Sequence, residues 1–392
     1  MRIVYGVHGY GRGHATRSMA VLRELVKRHE VRVLAGGDAY GLLSSVFPVI
    51  RIETLRFHYR KTGRRSGLQT LRHALPHIRD LWGQGPTWER VAHTLDTFAP
   101  DVVVSDAEAW THRVAAAKGI PRISFDHAGM LAFCNPALER SDWIKSWLFD
   151  RHAYRIFMGT PERKLVSSFF HAPPIDDTVR VIPPLLRDEV FELKPATGEH
   201  LLVYLNNGEG QWTPHLENML DGVGVPMRVY GVGERPPTRW MTFCPPSNRG
   251  FLQDLASCRA VLSTAGNQLV GESMYYGKAM LVVPEDCVEQ RMNALALVKE
   301  GVGEKITRAQ LTPQRVHTFL RAAPDYARCA QQRSCDGRQD ALELLETWFQ
   351  ELTTKTIRST TPTPRLAPGQ QPHRTPHLPP LTSPVSSPAE AR

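Results

Sequence analysis

The stretch RIVYGVHGYGRGHATRS, residues 2–18, runs from a β-branched segment through a glycine-rich turn into the start of a helix. Ala15, Met19, Leu22 and Val26 then recur at helical spacing. Further apolar segments follow at intervals that leave room for helices: VRVLAG (31–36), PVIRI (48–52), PDVVVSD (100–106) and IPRISFD (120–126). Strands that alternate with helices predict a parallel, doubly wound α/β sheet, which binds ligands at the carboxyl ends of its strands.

A second α/β unit begins after two Pro-Pro pairs within residues 171–190, which favour extended chain. Its predicted strands are LLVYLNNG (201–208), MRVYG (227–231), MTFCPP (241–246), RAVLSTAG (259–266) and AMLVVP (279–284). We therefore predict two Rossmann-like doubly wound domains that face a cleft, residues 1–183 and 184–352, the second closed by a helix from about Asp325 to Leu352. Residues 353–392 are rich in Pro, Ser and Thr, which predicts a disordered tail.

Composition narrows the class of protein. The 392 residues are 42% apolar and 22% charged, as in a soluble globular protein, and no apolar run approaches the roughly 20 residues that cross a bilayer. The first residues lack the apolar core of a signal peptide. The six cysteines contain no Cys-x-x-Cys pair, which suits neither a disulfide framework nor a zinc site. We expect a cytoplasmic protein.

The chain is basic, with 48 Lys and Arg against 39 Asp and Glu and a net charge of +9. This excess suits an anionic partner such as a nucleotide, a phosphorylated substrate or a membrane face. Part of it lies in RFHYRKTGRRSG (56–67), which is either a solvated loop or a loop that meets an anionic acceptor or a lipid headgroup. The second alternative predicts peripheral contact with the inner face of the membrane. The sequence contains no recognisable nucleic-acid motif, so no nucleic-acid partner is predicted.

The glycine-rich turn fails two tests for a dinucleotide fingerprint. Gly9 and Gly11 follow a strand, but His14 stands where the third glycine belongs, and the second strand does not end in an acidic residue. An NAD-dependent dehydrogenase is therefore disfavoured. His14 lies where the turn becomes helix, and Asp106 ends another strand of the same sheet, so the aspartate can accept one ring N–H while the other nitrogen takes a proton. The alternative is a structural histidine, which is the role we favour for His8.

The second informative stretch is STAGNQLVGESMYYGKAMLVVPEDCVEQRMNA, residues 263–294. Ser263 to Asn267 form a strand-to-helix turn whose backbone N–H groups suit an anion. Glu272 lies more than one turn into that helix, where a carboxylate can bind a ribose diol. Glu289 and Gln290 begin another helix at the same sheet edge and can bind sugar hydroxyls, with Asn293 on nearly the same face. Any one of these alone is more often a cap or a surface polar group.

These motifs resemble a known family. STAGN…GE…YYGKAMLVVP…EQRMNA is similar to the donor-binding signature of nucleotide-sugar glycosyltransferases of the two-Rossmann-domain (GT-B) fold, above all the relatives of the N-acetylglucosaminyl transferase that completes lipid II (the MurG-like family). GYGRGHATRS resembles the acceptor-side glycine loop of these enzymes, and VRVIPPLLRDEV their interdomain segment. The resemblance covers residues 1 to 350 or so. It implies an inverting transferase that uses neither a catalytic metal nor another cofactor.

The resemblance also implies roles for particular residues. His14 would be the general base toward the acceptor hydroxyl and Asp106 its partner, in a loop that also contains Gly11, Arg12 and Gly13. The donor diphosphate would bind at Thr264, Ala265, Gly266 and Asn267, the ribose at Glu272, the sugar hydroxyls at Glu289 and Gln290, and the base near Arg249, Phe251 and Leu252. The loop Asn206-Asn207-Gly208 would lie near the diphosphate, although its sequence departs from the family's small-residue pattern.

The predicted reaction is transfer of a hexose-type sugar from a nucleotide diphosphate donor, with uridine as the expected nucleoside, to an acceptor hydroxyl. A lipid-linked sugar, a polymer end or a small metabolite would each fit as acceptor. One alternative is a 2-epimerase of UDP-N-acetylglucosamine, although those enzymes usually have paired carboxylates where Ser273 follows Glu272 here. A second alternative is a catalytically silent subunit that binds a nucleotide sugar for a partner.

Overall fold

The computed structural model describes residues 1–55, 67–136, 141–205 and 211–360. Residues 1–353 form one compact unit that contains two parallel sheets. The basic segment 56–66, the loop Asn206-Asn207-Gly208 and residues 361–392 of the predicted tail lie outside the described residues.

The first sheet, as far as the chain is described, has seven parallel strands in the order β3-β2-β1-β4-β5-β6-β7. The strands are β1 (Arg2–Val7), β2 (Glu30–Ala35), β3 (Val49–Arg51), β4 (Val102–Asp106), β5 (Arg122–Asp126), β6 (Arg163–Ser167) and β7 (Val179–Ile182). The helices around them are α1 (Arg12–Arg28), α2 (Gly37–Leu43), α3 (Gly67–Leu81), α4 (Pro86–Phe98), α5 (Ala109–Ala117), α6 (Gly129–Phe133) and α7 (Ser141–Met158). Residues of β4 are buried throughout, as a central strand covered on both faces requires.

The second sheet has six parallel strands among the described residues, in the order β10-β9-β8-β11-β12-β13. They are β8 (Leu201–Tyr204), β9 (Met227–Tyr230), β10 (Met241–Phe243), β11 (Ala260–Ser263), β12 (Met280–Val282) and β13 (Gly303–Lys305). After the short α8 (Asp188–Phe191), the helices are α9 (Pro214–Asp221), α10 (Asn248–Ser257), α11 (Asn267–Tyr275), α12 (Val288–Lys299), α13 (Pro313–Gln332) and α14 (Arg338–Thr360). The predicted pair of doubly wound sheets is confirmed.

Strand order places both informative turns at the crevices of the sheets. In the first sheet β1 has β2 on one side and β4 on the other, and in the second β8 lies between β9 and β11. The chain crosses over in opposite directions from such a central strand, which leaves a crevice at the carboxyl ends of the strands. The glycine turn follows β1, and the turn Thr264 to Gly266 follows β11.

The end of the chain differs from the sequence expectation. The predicted single helical stretch is two helices, α13 and α14, and α14 continues to Thr360, beyond the predicted start of the tail at residue 353. Its apolar side chains pack in the core of the first sheet, not of the second, through Ala341, Leu345, Trp348, Phe349 and Leu352. The reason is that these side chains complete the apolar cover over strand residues such as Ile3 and Val104. The boundary at residue 183 stays a prediction.

None of the helices in the described part of the chain is long and apolar enough to span a membrane.

Candidate active site

The glycine turn is held by a residue that the sequence analysis did not include. Gly11 has a φ of 80°, in the region that favours glycine, and directly precedes α1. Its amide donates to Asp38 Oδ2 at 3.1 Å, and the amide of Asp38 donates to the carbonyl of Gly9 at 2.9 Å. A Cβ atom on Gly9 would lie 2.2 Å from the carbonyl oxygen of Gly36. Asp38 therefore fixes the conformation of the glycine turn.

His14 and Asp106 are in direct contact. Val7 and Asp106 are paired across β1 and β4, so the first turn of α1 lies over the end of β4. His14 Nδ1 is 2.7 Å from Asp106 Oδ1, with 22% of the histidine side chain exposed and none of the aspartate. Because an ionised carboxylate only accepts, Nδ1 carries the hydrogen, which leaves Nε2 as the acceptor.

Two further residues, which sequence reasoning missed, bind the same carboxylate. Arg17 Nε donates to Asp106 Oδ2 at 3.0 Å and Arg17 Nη2 to Oδ1 at 2.5 Å, and the hydroxyl of Ser18 donates to Oδ2 at 3.0 Å. Burial alone would raise the pKa of Asp106, but the charge of Arg17 and the contact with His14 outweigh it, so the pKa is lowered. Their spacing is the sequence feature that could have identified them, because Arg17 and Ser18 follow His14 by three and four residues and so lie on the same helix face.

The predicted diphosphate turn lies between β11 and α11. Thr264 and Ala265 are buried, Ala265 adopts a φ of 70°, and Gly266 is the N-cap of α11. No capping side chain from the described residues bonds the first turn of α11, so its N–H groups are available to an anion. The side chain of Asn267 has another role, because it accepts from the amide of Phe169 and donates to the carbonyl of Ser167, each at 3.2 Å. It therefore joins the second sheet to the first.

Glu272, the predicted ribose ligand, is covered in this structure. Its two oxygens accept from Arg187 Nε and Nη2, both at 2.8 Å, and Gln268 Nε2 adds a third bond at 3.0 Å. Arg187 reaches it because the Pro-Pro segment runs close over α11: a Cβ atom on Gly271 would lie 2.7 Å from Pro184 Cβ. A ribose diol would have to replace one of these donors.

The predicted sugar-binding residues differ in accessibility. Gln290 is buried, and its Oε1 accepts from the amide of Glu285 at 2.8 Å. Glu289 is partly exposed, with Oε1 4.0 Å from His127 Nε2. His127, which the sequence analysis missed, follows β5 and contacts Asn293 Oδ1 at 2.9 Å, while Asn293 Nδ2 donates to the carbonyl of Ala265 at 3.0 Å. The position of His127 directly after Asp126, at the end of a predicted strand, is the sequence feature that could have identified it.

The residues of the predicted base pocket differ in burial. Arg249 is exposed, and the ring of Phe251 packs edge-on against Tyr204 and Tyr230, with centroids 5.5 and 5.1 Å apart. Leu252 is fully buried in the core of the second sheet, because it lies on the core-facing side of α10, one residue beyond Phe251. The base pocket stays a prediction.

The two halves of the site face each other. A Cβ atom on Gly13 would lie 3.9 Å from Gln268 Cβ, so the first turn of α1 meets the first turn of α11. The structure therefore brings His14 and its loop, Gly11, Arg12 and Gly13, to the predicted phosphate turn. Among the described residues, no group of three or more His, Cys, Asp or Glu side chains is arranged to hold a metal ion.

Comparison with protein families identifies the chain. A family model described as glycosyl transferase family 1 matches residues 1–324. The chain belongs to glycosyl transferase family 1. The matched range contains both the glycine turn and the 263–294 stretch, so the two halves of the site are part of the family region. The prediction of a glycosyltransferase is confirmed, and neither the dehydrogenase nor the epimerase is supported.

Solved structures of other glycosyltransferases have the same fold. The chain is 18% identical to the glycotransferase of kitacinnamycin, with a TM-score of 0.62 over 88% of this chain and 98% of that one. It is 15% identical to VinC in complex with dTDP, with a TM-score of 0.59 over 91% of this chain and 100% of that one. It is 16% identical to Acinetobacter baumannii MurG, with a TM-score of 0.54 over 88% of this chain and 99% of that one. The comparison with curated proteins found no match. This family 1 glycosyltransferase therefore has the GT-B fold that the sequence predicted.

Proposed function

We propose that this glycosyltransferase moves a hexose-type sugar from a nucleoside diphosphate donor, with uridine as the nucleoside, to an acceptor hydroxyl with inversion and without a catalytic metal. The observation that carries the proposal is the His14–Asp106 contact beside the open N-terminus of α11. A ring oriented by a carboxylate suits a general base, and helix-end amides suit a leaving diphosphate.

In the proposed reaction, His14 Nε2 takes the proton of the acceptor hydroxyl as its oxygen attacks the anomeric carbon. The new oxygen–carbon bond forms on the face opposite the leaving group, so the configuration inverts. The bond from the anomeric carbon to the diphosphate oxygen breaks, and its electron pair leaves on the nucleoside diphosphate. The N–H groups after Gly266 and the dipole of α11 stabilise that negative charge, which is the task a metal ion performs in other sites.

The donor's other groups are assigned by position. Glu272 binds the ribose by exchanging one hydrogen bond from Arg187 for the diol, Glu289 and Gln290 contact the sugar hydroxyls, and the base packs near Phe251 and Arg249. VinC, which has the same fold, was solved in complex with dTDP; this supports a nucleoside diphosphate here and makes thymidine the alternative nucleoside.

The donor assignment predicts a melting shift. With EDTA present and no metal added, one uridine diphosphate sugar at a hundredfold excess over its Kd should stabilise the native chain by about 2.7 kcal/mol. Glu272→Gln should remove most of this shift, because the amide keeps the shape but binds a diol less well than the carboxylate. The matched control is Glu351→Gln, which removes a partly exposed carboxylate on α14. A shift with NAD, and none with any nucleotide sugar, would contradict the assignment.

We also propose a lipid-linked acceptor and a cytoplasmic protein that touches the membrane peripherally. The support is an amphipathic surface on the first half of the chain. Phe149 and Ile156 on α7 are 73% and 56% exposed, and Trp82 after α3 is 45% exposed. The Trp82 ring stacks under the Arg113 guanidinium at 4.3 Å, and its centroid is 6.1 Å from that of Phe157, so α3, α5 and α7 form one face. Apolar side chains beside basic ones suit an anionic interface.

Vesicle sedimentation tests this contact. The native chain should bind phosphatidylglycerol vesicles several-fold more strongly than phosphatidylcholine vesicles, and added salt should weaken the binding. The double variant Phe149→Ser/Ile156→Ser should lower it several-fold, whereas Val298→Ser, which removes a 46% exposed apolar side chain on α12, should not. Equal binding by the native chain and the double variant would count against the proposed surface, and no binding by the native chain would favour a soluble acceptor.

A further inference from the structure

The neighbourhood of the base contains a cation to which the proposed reaction assigns no role. Arg17 is almost fully buried, and its guanidinium grips both oxygens of Asp106 through Nε and Nη2. It also comes close to the base itself, because Arg17 Nη2 is 3.2 Å from His14 Nδ1. Both of these nitrogens carry hydrogens when Nδ1 donates to Asp106, so this approach is a repulsive contact and not a hydrogen bond.

We propose that Arg17 is a positioning residue for the transfer reaction, one that holds Asp106 as a fixed and charge-compensated carboxylate, so that Asp106 orients the His14 ring without holding it as an imidazolium. The inference rests on the proposed role of His14 as the base.

Charge is the first reason for this role. Asp106 is fully buried, and a buried carboxylate in contact with a histidine strongly favours the protonated ring when no other cation is present. A ring that is already protonated cannot take the proton of an acceptor hydroxyl. With Arg17 in place, Arg17 and Asp106 form a buried pair with no net charge before the reaction. A proton added to the His14 ring would then place a second positive charge close to the guanidinium, which disfavours the imidazolium. The same pair still supplies the acceptor for Nδ1–H.

Geometry supports the orienting part. The bidentate contact with Arg17 fixes the plane of the carboxylate. With His14 on Oδ1 and the Ser18 hydroxyl on Oδ2, the carboxylate accepts four hydrogen bonds in all. Oδ1 is then the oxygen that faces Nδ1, and Nε2 points away from the pair. A lysine would keep the charge at this position, but it could not make the two parallel bonds that set this plane.

Other titratable groups surround the pair without replacing Arg17. The ring centroid of His8, after β1, is 5.2 Å from that of His14. Tyr5 on β1 is fully buried, and burial, with the charge of Asp106, raises its pKa well above the usual range of a phenol. Asp126, at the end of β5, accepts from the hydroxyl of Tyr154 at 2.5 Å, and burial raises the pKa of this carboxyl to about 6. Of the charged groups on the described residues that bond Asp106, Arg17 is the one permanent cation.

The balance of the proton follows. The proton taken from the acceptor stays on Nε2 of His14 and passes to solvent after the product leaves. Asp106 stays ionised throughout, because Arg17 and His14 both stabilise its charge. No group changes its oxidation state in this reaction, and His14 is the residue that gains the proton.

The test measures the ring directly. NMR titration of the full chain with ¹³C-labelled histidine, in which the signal of His14 is assigned by its loss in His14→Gln, gives the pH midpoint of the ring. In Arg17→Met this midpoint should rise by about one pH unit or more, a tenfold or greater change in proton affinity, and the acid limb of kcat/KM should move with it. Arg17→Lys should restore the midpoint but not the full kcat.

The controls separate this inference from a structural role and from the proposed function. Arg23→Met, on the same helix but paired with exposed Asp188, should leave the midpoint unchanged. If Arg17→Met does not fold, the same comparison is made between the variant Asp106→Asn and the double variant Asp106→Asn/Arg17→Met. Loss of the guanidinium should again raise the pH midpoint of the His14 ring. An unchanged midpoint in a folded variant, with activity reduced equally at every pH, would overturn the inference. The titration decides the inference even if no sugar transfer is found, which would contradict only the proposed function.

Discussion

We expect His14→Ala to lower kcat/KM for sugar transfer by about 10²- to 10⁴-fold, the contribution of a positioned general base. The donor should still bind the variant, because the predicted donor contacts lie between Arg249 and Gln290 and not on the ring. The measurement is the steady-state rate with the donor identified by the melting assay, together with the melting shift of the variant. A low rate with an intact shift locates the defect in proton transfer.

A matched histidine variant completes this test. His171→Ala removes an exposed histidine elsewhere on the chain and should leave the rate within about twofold of the native value. If His14→Ala also stays within a few-fold of the native rate, the base is another group, and His14 is the structural histidine that the sequence left open.

Asp106→Ala should destabilise the chain by about 3–5 kcal/mol. The reason is that it strands the buried guanidinium of Arg17 without a counter-charge, and removal of one partner from a buried ion pair costs about this much. The free energy of unfolding in urea measures the loss. Asp96→Ala, which removes an exposed partner of Lys118 on the surface, should cost no more than about 1 kcal/mol.

The double variant Asp106→Leu/Arg17→Met distinguishes a buried ion pair from general damage to the core. Because it removes both charges together, it should recover most of the loss, although it cannot catalyse by the proposed route. A double variant as unstable as Asp106→Ala would show that packing at this position, and not the uncompensated charge, sets the stability.

Much of the fold could be predicted because its signals are local. The buried runs that end at Asp106 and Asp126 read as central strands, and the turn that contains Gly11 reads as the entry to a helix. The order of these segments indicates a doubly wound sheet, and the sheet brings the carboxyl ends of β1 and β4 together. For this reason the contact between His14 and Asp106, 92 residues apart, could be expected from the sequence.

The partners of the other site residues could not be predicted in the same way. Glu272 is covered by Arg187, 85 residues earlier, because a proline-rich segment passes close over Gly271. Asn267 turns toward Ser167 and not toward the phosphate turn, through a contact between the two sheets. Leu252 faces the core because of the rotation of α10, which the loose motif around Arg249 does not specify.

The sequence by itself determined the alternation of strands and helices, the two turns at the sheet edges and the types of residue placed there, since each depends on spacing of a few residues. The tertiary structure decided which donors the carboxylates receive and which core the last helix completes. Arginine side chains usually lie on the surface, but Arg17 is buried and Arg187 is largely covered, because a carboxylate on another element lies within reach of each. Such pairings depend on distances between elements, which local spacing does not contain.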